Sequence, residues 1–264
     1  MNILDTIVAK KKEEVEVKKL ETSIDELIRS PLFERETYSL RSFLKDENRT
    51  GIIAEFKRKS PSKGIINDRA DVIDVTWAYA NYGASCISVL TDEPFFGGHA
   101  NDLAKARINA LPLLRKEFIV DEYQVYESKA LGADVILLIA ACLTPAEVRQ
   151  FAAKATQLKM DVLLEIHNED ELGHICDETE FIGVNNRDLK TFTVDLDRSI
   201  ELASKIPSGK LKIAESGIRD EQTIITLKQH GFDGFLIGER FMRESDPGEA
   251  FRLFVKGLKS DREF

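Results

Sequence analysis

Eight short apolar segments, rich in Val, Ile and Leu, recur from residue 51 onward, and longer stretches with helical periodicity separate them. This alternation is typical of repeated βα units around a parallel sheet. The predicted strands are Ile52–Lys57, Cys86–Leu90, Leu111–Lys116, Val135–Ile139, Val162–Ile166, Phe181–Asn185, Leu211–Glu215 and Gly234–Ile237. Eight units within about 210 residues favour a closed barrel over an open doubly wound sheet, although periodicity alone allows both. The sequence therefore predicts an α/β fold, a (β/α)8 or TIM barrel.

Segments with helical periodicity lie between the predicted strands. They are Asp71–Tyr82, Asp121–Leu131, Pro145–Leu158, Asp220–His230 and Pro247–Leu258. Several begin with Asp or Pro, and glycines follow three of them, as helix boundaries favour. The residues before position 51 lie outside the eight units: a charged amphipathic helix comes first, and the mixed stretch Glu34–Asn48 connects it to the first strand. We expect residues 1–264 to form a single catalytic barrel domain with residues 1–50 as an N-terminal helical extension.

Composition and charge limit the classes of partner. A hydrophobic fraction of 43% supports a sizeable core, and the net charge is −9. An acidic protein has little general affinity for nucleic acid or for an anionic membrane, so an anionic ligand must meet a local cluster of cations. The three cysteines are far apart, and no segment has the pattern of a secretory leader or a membrane span. We expect a cytoplasmic protein.

Polar side chains end most of the predicted strands. They are Glu55 and Lys57 on the first strand, Lys116 on the third, Glu165 on the fifth, Asn185 and Arg187 at the sixth and Glu215 on the seventh. Any one of them is most often a solvated charge at a strand end. The C-terminal ends of barrel strands, however, meet at one mouth, where barrel enzymes place their chemistry. Carboxylates within apolar strands need neighbouring cations, so Glu55 and Glu165 predict an acid–base site there.

Loops that contain glycine follow the last two strands. The segments are Glu215-Ser216-Gly217 and Gly238-Glu239. A glycine in a tight βα turn is ordinary by itself, but barrels use these two loops to hold phosphate with backbone N–H groups. Ser60 and Lys63, after the first strand, can add a hydroxyl group and a charge. The pattern predicts a phosphorylated small-molecule ligand.

A series of short motifs carries a family resemblance. In order they are SPSKG, LTDEPFFGG, LLRKEF, LLEIHN, IGVNNRDLKTF, IAESGI and FLIGERFM. Together they resemble the successive motifs of indole-3-glycerol phosphate synthase over essentially the whole chain, including the N-terminal helix. The resemblance implies a lyase of tryptophan biosynthesis. Its substrate is 1-(2-carboxyphenylamino)-1-deoxyribulose 5-phosphate, which is cyclised, decarboxylated and dehydrated to indole-3-glycerol phosphate without a cofactor or metal.

The same resemblance implies roles for the strand-end residues. Lys116 would be the acid for ring closure, a task suited to a lysine whose pKa is lowered by its surroundings. Lys57 would hold the substrate carboxylate, and Glu165 and Glu55 would transfer protons, in an order that spacing leaves open. Asn185 would orient the substrate. The substrate and phosphate contacts would be Ser60, Arg187, Glu215, Ser216, Gly217, Gly238 and Glu239.

The remaining expectations concern the apolar wall, the histidines and two departures from the family pattern. Leu90, Phe95 and Leu138 are candidates for the wall against the aromatic ring, with burial in the core as the alternative. The four histidines, His99, His167, His174 and His230, lack ligand spacing and are predicted to be surface or helix residues. Glu239 and His99 stand where a serine is usual. The backbone N–H group at position 239 can still bind phosphate, provided that the carboxylate points away.

Two competing interpretations remain. Phosphoribosylanthranilate isomerase or the tryptophan synthase α subunit would share the last two loops, but would not need Glu55, Lys57 and Lys116 together with Glu165. A catalytically silent scaffold barrel would have lost a reactive residue, whereas all are present. The oligomeric state stays open, with a monomer allowed.

Overall fold

Eight parallel strands form a closed barrel in the computed structural model, which describes residues 3–187 and 193–260. The strands are β1 (Ile52–Phe56), β2 (Cys86–Leu90), β3 (Leu113–Lys116), β4 (Val135–Ile139), β5 (Asp161–Ile166), β6 (Phe181–Asn185), β7 (Leu211–Glu215) and β8 (Gly234–Ile237). Each pairs with its neighbours in the chain, and β8 pairs with β1, so that Phe235 lies opposite Ile52. The predicted barrel is confirmed, and the open sheet is excluded. The third strand begins later than predicted because Pro112 has no N–H group to donate.

Helices surround the barrel and precede it. Within the described ranges the α-helices are α1 (Ile3–Glu21), α2 (Ile24–Ile28), α3 (Leu40–Leu44), α4 (Val72–Asn81), α5 (Glu93–Phe96), α6 (Ala100–Ala106), α7 (Tyr123–Ala130), α8 (Pro145–Gln157), α9 (Leu196–Ser204), α10 (Glu221–Gln229), α11 (Glu239–Met242) and α12 (Pro247–Ser260). Two 3₁₀ helices span Ala140–Cys142 and Glu169–His174. The five predicted helices are confirmed. None of the helices in the described part of the chain combines the length and apolarity that a membrane span requires.

Capping residues explain where the predicted helices begin. Thr144 and Glu147 form a reciprocal capping box at α8, and Pro145 occupies the first turn, where its missing N–H group costs nothing. Asp71 and Asp220 cap α4 and α10 with their carboxylates, each of which accepts a hydrogen bond from a backbone N–H group of the first turn. Side-chain capping and apolar periodicity therefore agree on these boundaries.

The strands separate two apolar layers, because successive side chains point to opposite faces of a sheet. Side chains such as Ile53, Leu137 and Phe181 fill the barrel lumen, whereas Ile52 and Leu138 pack between the sheet and the helices. The stretch predicted as a connection contains α3, whose buried Leu40 and Leu44 join the lumen cluster. The N-terminal end of the lumen is therefore packed with apolar side chains, and polar lumen residues lie at the C-terminal end.

The N-terminal helix α1 crosses the C-terminal side of the barrel and is joined to it by a buried lysine. The Lys11 ammonium lies 3.0 Å from Asp92 and 3.1 Å from Glu117, which follow β2 and β3. Glu14, on α1 itself, is a third partner at 2.8 Å. Desolvation lowers the pKa of Lys11, but the surrounding carboxylates outweigh it and the pKa is raised. The extension is thus fixed to the same end of the barrel as the strand-end polar residues.

Candidate active site

A cavity of about 800 Å³ occupies the C-terminal mouth of the barrel. All twelve residues proposed from sequence line it: Glu55, Lys57, Ser60, Lys116, Glu165, Asn185, Arg187, Glu215, Ser216, Gly217, Gly238 and Glu239. Lys63 also lines it, as do Ile3, Leu4 and Ile7 from α1. The volume suits a ligand of metabolite size. The barrel therefore brings the predicted strand-end side chains together in one place.

Lys116 lies at the centre of the polar cluster. Its ammonium donates hydrogen bonds to Oε2 of Glu215 at 2.6 Å and to Oε2 of Glu165 at 3.1 Å. The three side chains come from β3, β5 and β7, because alternate strands of a barrel contribute to one layer of its lumen. Burial lowers the pKa of Lys116, but Glu165 and Glu215 outweigh it and raise the pKa. The predicted lowering of the Lys116 pKa is therefore wrong, because the prediction did not count two carboxylates around one ammonium.

The two carboxylates that share Lys116 differ in charge state. Burial raises the pKa of Glu165, but Lys116 and His167 outweigh it and hold the pKa well below its usual range. The amide of Asn185 also donates to Oε1 of Glu165 at 2.9 Å. Glu215 has fewer donors, and burial raises its pKa to about 7. At neutral pH the cluster thus holds one firmly ionised carboxylate and one that can carry a proton.

Glu55 and Lys57 form a second ion pair on the β1 side of the mouth. Lys57 Nζ lies 2.8 Å from Oε1 of Glu55, whose side chain is 3% exposed. Gly238, after β8, leaves room for this carboxylate, since a Cβ atom there would lie 2.6 Å from Glu55 Oε1. Gly183 does the same for Glu215, because its Cβ would overlap Oε1 of that side chain. Two lumen glycines therefore make space for two buried glutamates.

Cations and turns converge at the other end of the cavity. Ser216 and Gly217 have consecutive positive φ angles of 68° and 74°, a backbone conformation that orients successive N–H groups to one side. Arg187 Nη2 lies 3.6 Å and Lys63 Nζ 3.9 Å from the Glu239 carboxylate. The Glu239 carboxylate therefore points toward two cations that line the cavity, and not away from them.

The apolar wall differs from its prediction at two of three positions. Leu90 lines the cavity, but Leu138 is buried behind the sheet, because its neighbours Leu137 and Ile139 take the lumen side of β4. In α5 it is Phe96, and not Phe95, that reaches the cavity, where its ring lies 5.9 Å from that of Phe118. The wall is therefore built from Leu90, Phe96, Phe118, Leu137, Ile139 and Leu236, together with the α1 side chains.

A family model for indole-3-glycerol phosphate synthase matches residues 4–254 of the chain. The chain belongs to the indole-3-glycerol phosphate synthase family. It is 42% identical over 259 residues to the indole-3-glycerol phosphate synthase of Bacteroides thetaiotaomicron, which covers 98% of this chain and 99% of that protein. Identity to the Salinibacter ruber indole-3-glycerol phosphate synthase is 44% over 264 residues, 98% of this chain and 97% of the relative.

Solved structures with lower identity show the same barrel. A mutant tryptophan synthase alpha-subunit from the hyperthermophile Pyrococcus furiosus superposes with a TM-score of 0.61 at 16% identity, over 80% of this chain and 99% of that one. A putative lactate oxidase of Pediococcus acidilactici gives a TM-score of 0.63 at 14% identity, over 81% and 70% of the two chains. This similarity shows the fold alone, because barrels with unrelated activities share it.

Some residues at the candidate site of this indole-3-glycerol phosphate synthase family member were not predicted from the sequence. His167 was predicted to be a surface or helix residue, but its side chain is 8% exposed and lies 3.0 Å from Glu165. The signal was its place directly beyond β5, two residues after Glu165, where a side chain faces the same mouth. The α1 side chains of the cavity were also missed, because periodicity does not say where an extension docks. Residues 188–192, within the family motif IGVNNRDLKTF, lie outside the described residues.

No metal site is found in the described ranges, where no group of three or more His, Cys, Asp and Glu side chains is arranged to hold an ion. Cys86 is buried in the lumen, and Cys142 and Cys176 are half-buried and unpaired with one another. Burial raises the pKa of the Cys142 thiol to about 12, with Glu165 adding to the effect.

Proposed function

We propose that the chain catalyses the reaction named for its family. This is the cyclisation, decarboxylation and dehydration of 1-(2-carboxyphenylamino)-1-deoxyribulose 5-phosphate to indole-3-glycerol phosphate in tryptophan biosynthesis. The observation that carries the proposal is Lys116, held between Glu165 and Glu215 at the centre of the mouth cavity. Such a cluster places a proton donor among groups of different proton affinity, which a sequence of proton transfers requires.

Ring closure needs a proton at the ketone oxygen as the new carbon–carbon bond forms. Lys116 supplies it in our proposal, because its ammonium is protonated and points into the cavity. Glu165 and Glu215 stabilise the protonated form of Lys116. When the substrate carbonyl replaces one of them as a hydrogen-bond partner, the ammonium becomes a stronger acid and faces the oxygen on which negative charge develops.

The later steps use the remaining charged groups. Lys57, at the β1 side of the cavity, holds the substrate carboxylate until carbon dioxide leaves. Loss of carbon dioxide returns its bonding electrons to the iminium nitrogen and restores the aromatic ring. Glu165 and Glu55 transfer the protons of dehydration, in which carbon loses a proton and the hydroxyl group leaves as water. Asn185 orients Glu165 through its 2.9 Å hydrogen bond, and Arg187 lies beside it. The reaction forms one carbon–carbon bond and releases carbon dioxide and water with no net oxidation or reduction, so the proposal includes no cofactor.

Phosphate binding is assigned to the loops after β1, β6, β7 and β8. The substrate and phosphate contacts proposed are Ser60, Arg187, Glu215, Ser216, Gly217, Gly238 and Glu239, with position 239 acting through its backbone N–H group. The paired positive φ angles of Ser216 and Gly217 support this assignment, and so does the presence of Lys63 and Arg187 at that end of the cavity. An anion is then held locally by an otherwise acidic protein.

We also propose a domain organisation, a compartment and an oligomeric state for the enzyme. We expect residues 1–264 to act as one catalytic domain in the cytoplasm, without a nucleic-acid or membrane partner. We expect a monomer to suffice. Activity per chain that falls on dilution, in step with dissociation measured by sedimentation, would contradict the monomer.

The direct test is to incubate the purified protein with the substrate in the presence of a chelator. We expect indole fluorescence and carbon dioxide, and absence of both from folded protein would overturn the proposed function. The Lys116→Met variant keeps the bulk but removes the proton. Its kcat should fall by about 10²-fold or more, with a much smaller change in affinity for a product analogue.

The matched control is Lys63→Met, at the rim of the same cavity. Loss of an anion-binding charge should raise KM at nearly constant kcat. If Lys116→Met behaved in that way, Lys116 would attract the substrate and would not be the acid.

A further inference from the structure

His167 lies between two carboxylates at the edge of the mouth cavity. Its Nε2 is 3.0 Å from Oε1 of Glu165, and its Nδ1 is 3.4 Å from Oε2 of Glu171. The backbone N–H group of His167 also donates to Oε2 of Glu171 at 2.6 Å. Glu171 belongs to the 3₁₀ helix that follows β5, and Asn168 donates to its other oxygen at 2.9 Å. The imidazole is therefore held by Glu171, with Nε2 within ion-pair distance of Glu165 but not aligned to donate a hydrogen bond to it.

Glu165 needs such a partner because its carboxylate torsion is soft. A terminal glutamate torsion has a broad energy minimum, so external contacts must fix the plane in which the lone pairs lie. Asn185 and His167 both approach Oε1, while Lys116 donates to Oε2. Of these partners, Lys116 is to give up a proton during the reaction. His167 and Asn185 are left to hold the carboxylate while that happens.

We propose that His167 is a positioning residue for Glu165, with Glu171 holding the imidazole so that both ring nitrogens face a carboxylate. This rests on the proposed function only for its kinetic consequences. The line Glu171, His167, Glu165 fixes the orientation of the glutamate and places a positive charge beside it. That charge keeps Glu165 ionised when Lys116 has given up its proton. Without it, Glu165 would compete with the substrate for the same proton.

Charged and titratable groups from several elements surround His167. They are Glu165 on β5, Glu171 on the following 3₁₀ helix, Cys142 on the preceding one, Asp5 on α1, Asp195 before α9 and Arg198 on α9. Arg198 Nη2 lies 3.4 Å from the backbone oxygen of His167, not from its ring. Burial lowers the pKa of His167, but Glu165 and Glu171 outweigh it and raise the pKa to about 10. A second cavity of about 310 Å³ borders the ring and gives protons access to it.

The first experiment reads the charge of His167 directly. Protein labelled with ¹⁵N-histidine carries four imidazoles, and the His167 signals are assigned by their loss in His167→Asn. At pH 8 an ordinary histidine, with a pKa near 6.5, is neutral. We expect His167 in the native protein to show two protonated ring nitrogens at that pH. We expect Glu171→Gln to lower its titration midpoint by about one pH unit or more. A neutral His167 at pH 8 overturns the proposal.

The second experiment measures what that charge does for the reaction. We expect His167→Asn to lower kcat by about tenfold at nearly constant KM, and to move the acidic limb of kcat/KM to higher pH. Loss of the neighbouring cation raises the pKa of Glu165, so ionisation of that group requires a higher pH. Glu171→Gln should also lower kcat and move the acidic limb of kcat/KM to higher pH, in both cases by less than His167→Asn. It also supplies the kinetic test if His167→Asn does not fold.

The matched control is His174→Asn, on the same 3₁₀ helix. The ring of His174 contacts the backbone oxygens of Glu171 and Leu143 at 3.1 and 2.9 Å, and no carboxylate. Its replacement should leave the pH profile unchanged. If His167→Asn lowers stability but leaves kcat and the pH profile of the native protein, the histidine is structural and the proposal fails. The NMR experiment needs no substrate. It therefore tests the charge of His167 even if the protein does not catalyse the proposed reaction.

Discussion

Lys11 and Asp92 form an ion pair of 3.0 Å in which neither side chain is more than 5% exposed. One oxygen of Asp92 also accepts the backbone N–H groups of Phe95 and Phe96 at the start of α5. The carboxylate thus connects the N-terminal helix with the loop that places Phe96 in the cavity. The same ammonium reaches Glu117, the residue after Lys116. Docking of α1 and the geometry of the mouth are therefore coupled.

Removing the Lys11 charge is predicted to destabilise the protein. The Lys11→Met variant removes the ammonium from buried Asp92 and leaves Glu117 with Arg115 at 3.7 Å, and breaking a buried pair from one side costs about 3–5 kcal/mol. We expect a fall of that size in the free energy of unfolding, measured with urea at pH 7. We also expect kcat to fall, because α5 and the end of β3 lose a fixed partner.

The control is the adjacent residue. Lys10 pairs with Glu13 at 3.2 Å on the exposed side of α1, and an exposed pair contributes about 1 kcal/mol or less. Lys10→Met should therefore change neither stability nor kcat by much. Equal effects of the two substitutions would show that the helix needs its charges only for solubility.

A single methyl group at Gly183 is predicted to disturb the catalytic cluster. The added Cβ would overlap Oε1 of Glu215 and lie 3.1 Å from its Cδ. Glu215 must then move away, which removes the shorter of the two hydrogen bonds of Lys116. We expect Gly183→Ala to lower kcat by about tenfold or more, since small displacements of reacting groups are costly. Steady-state kinetics of the variant measure kcat, and circular dichroism shows whether the fold is kept.

Gly173→Ala provides the comparison, because a Cβ atom there meets nothing within 4 Å. It should be neutral in both assays. A fully active Gly183→Ala protein would mean that Glu215 can leave Lys116 without consequence.

Glu239 is predicted to compete with the substrate phosphate. Its carboxylate lies within 4 Å of both Lys63 and Arg187. Glu239→Gln removes that competitor while keeping the backbone N–H group and the size of the side chain. We expect KM to fall by about two- to fivefold at constant kcat, the scale of a partly exposed ion pair. Raising the salt concentration should raise KM in both proteins.

Glu249→Gln is the matched control for this substitution. Glu249 lies 2.6 Å from Arg252 on α12, and neither residue lines the cavity. Its KM should stay at the native value. A KM that rises in Glu239→Gln would mean that the glutamate holds the two cations in place for the ligand.

Stability is predicted to depend on the ionisation of Glu127. Its carboxylate lies 2.6 Å from Arg115 and 2.7 Å from Lys18. Burial raises the pKa of Glu127, but Arg115 and Lys18 outweigh it and lower the pKa from 4.5 to about 2. Because the folded pKa is depressed, the stabilisation is complete above pH 4.5 and is lost as the pH falls toward 2. At about 1.4 kcal/mol per pKa unit, it amounts to roughly 3 kcal/mol.

The Glu127→Gln variant tests this dependence. It should be less stable than the native protein at pH 7 by that order, and the difference should shrink at pH 3. Urea unfolding at the two pH values measures it, with Glu13→Gln, 72% exposed, as the control. A difference that is equal at both pH values would assign the loss to packing around Arg115 and not to charge.

The fold and most of the site residues could be predicted because they depend on local pattern. Apolar runs with period two specify strands, and parallel strands of a barrel end at one mouth, so Glu55, Lys116 and Glu165 had to meet there. Leu138 shows the limit of that argument. To assign it, one must know which side chains of β4 face the lumen and which face the helices. An all-apolar run does not show this, because both faces of a barrel strand are buried.

Long-range electrostatics could not be predicted. The pKa of Lys116 depends on how many carboxylates reach its ammonium, and Glu165 and Glu215 reach it from strands far along the chain. The position of His167 likewise depends on Glu171 turning back in a 3₁₀ helix. Both features depend on distances between side chains across the mouth. The spacing of residues along the sequence does not give those distances.

The pairing of β1 with β8 has a consequence for synthesis of the protein. Ile52 meets Phe235 only after nearly the whole barrel has left the ribosome. Until then the nascent chain is an open sheet with two unpaired edges, and unpaired edges recruit other strands. Docking of α1 through Lys11 is possible much earlier, once residue 117 has emerged. The first helix can therefore cover the C-terminal ends of β2 and β3 before the last strand completes the barrel.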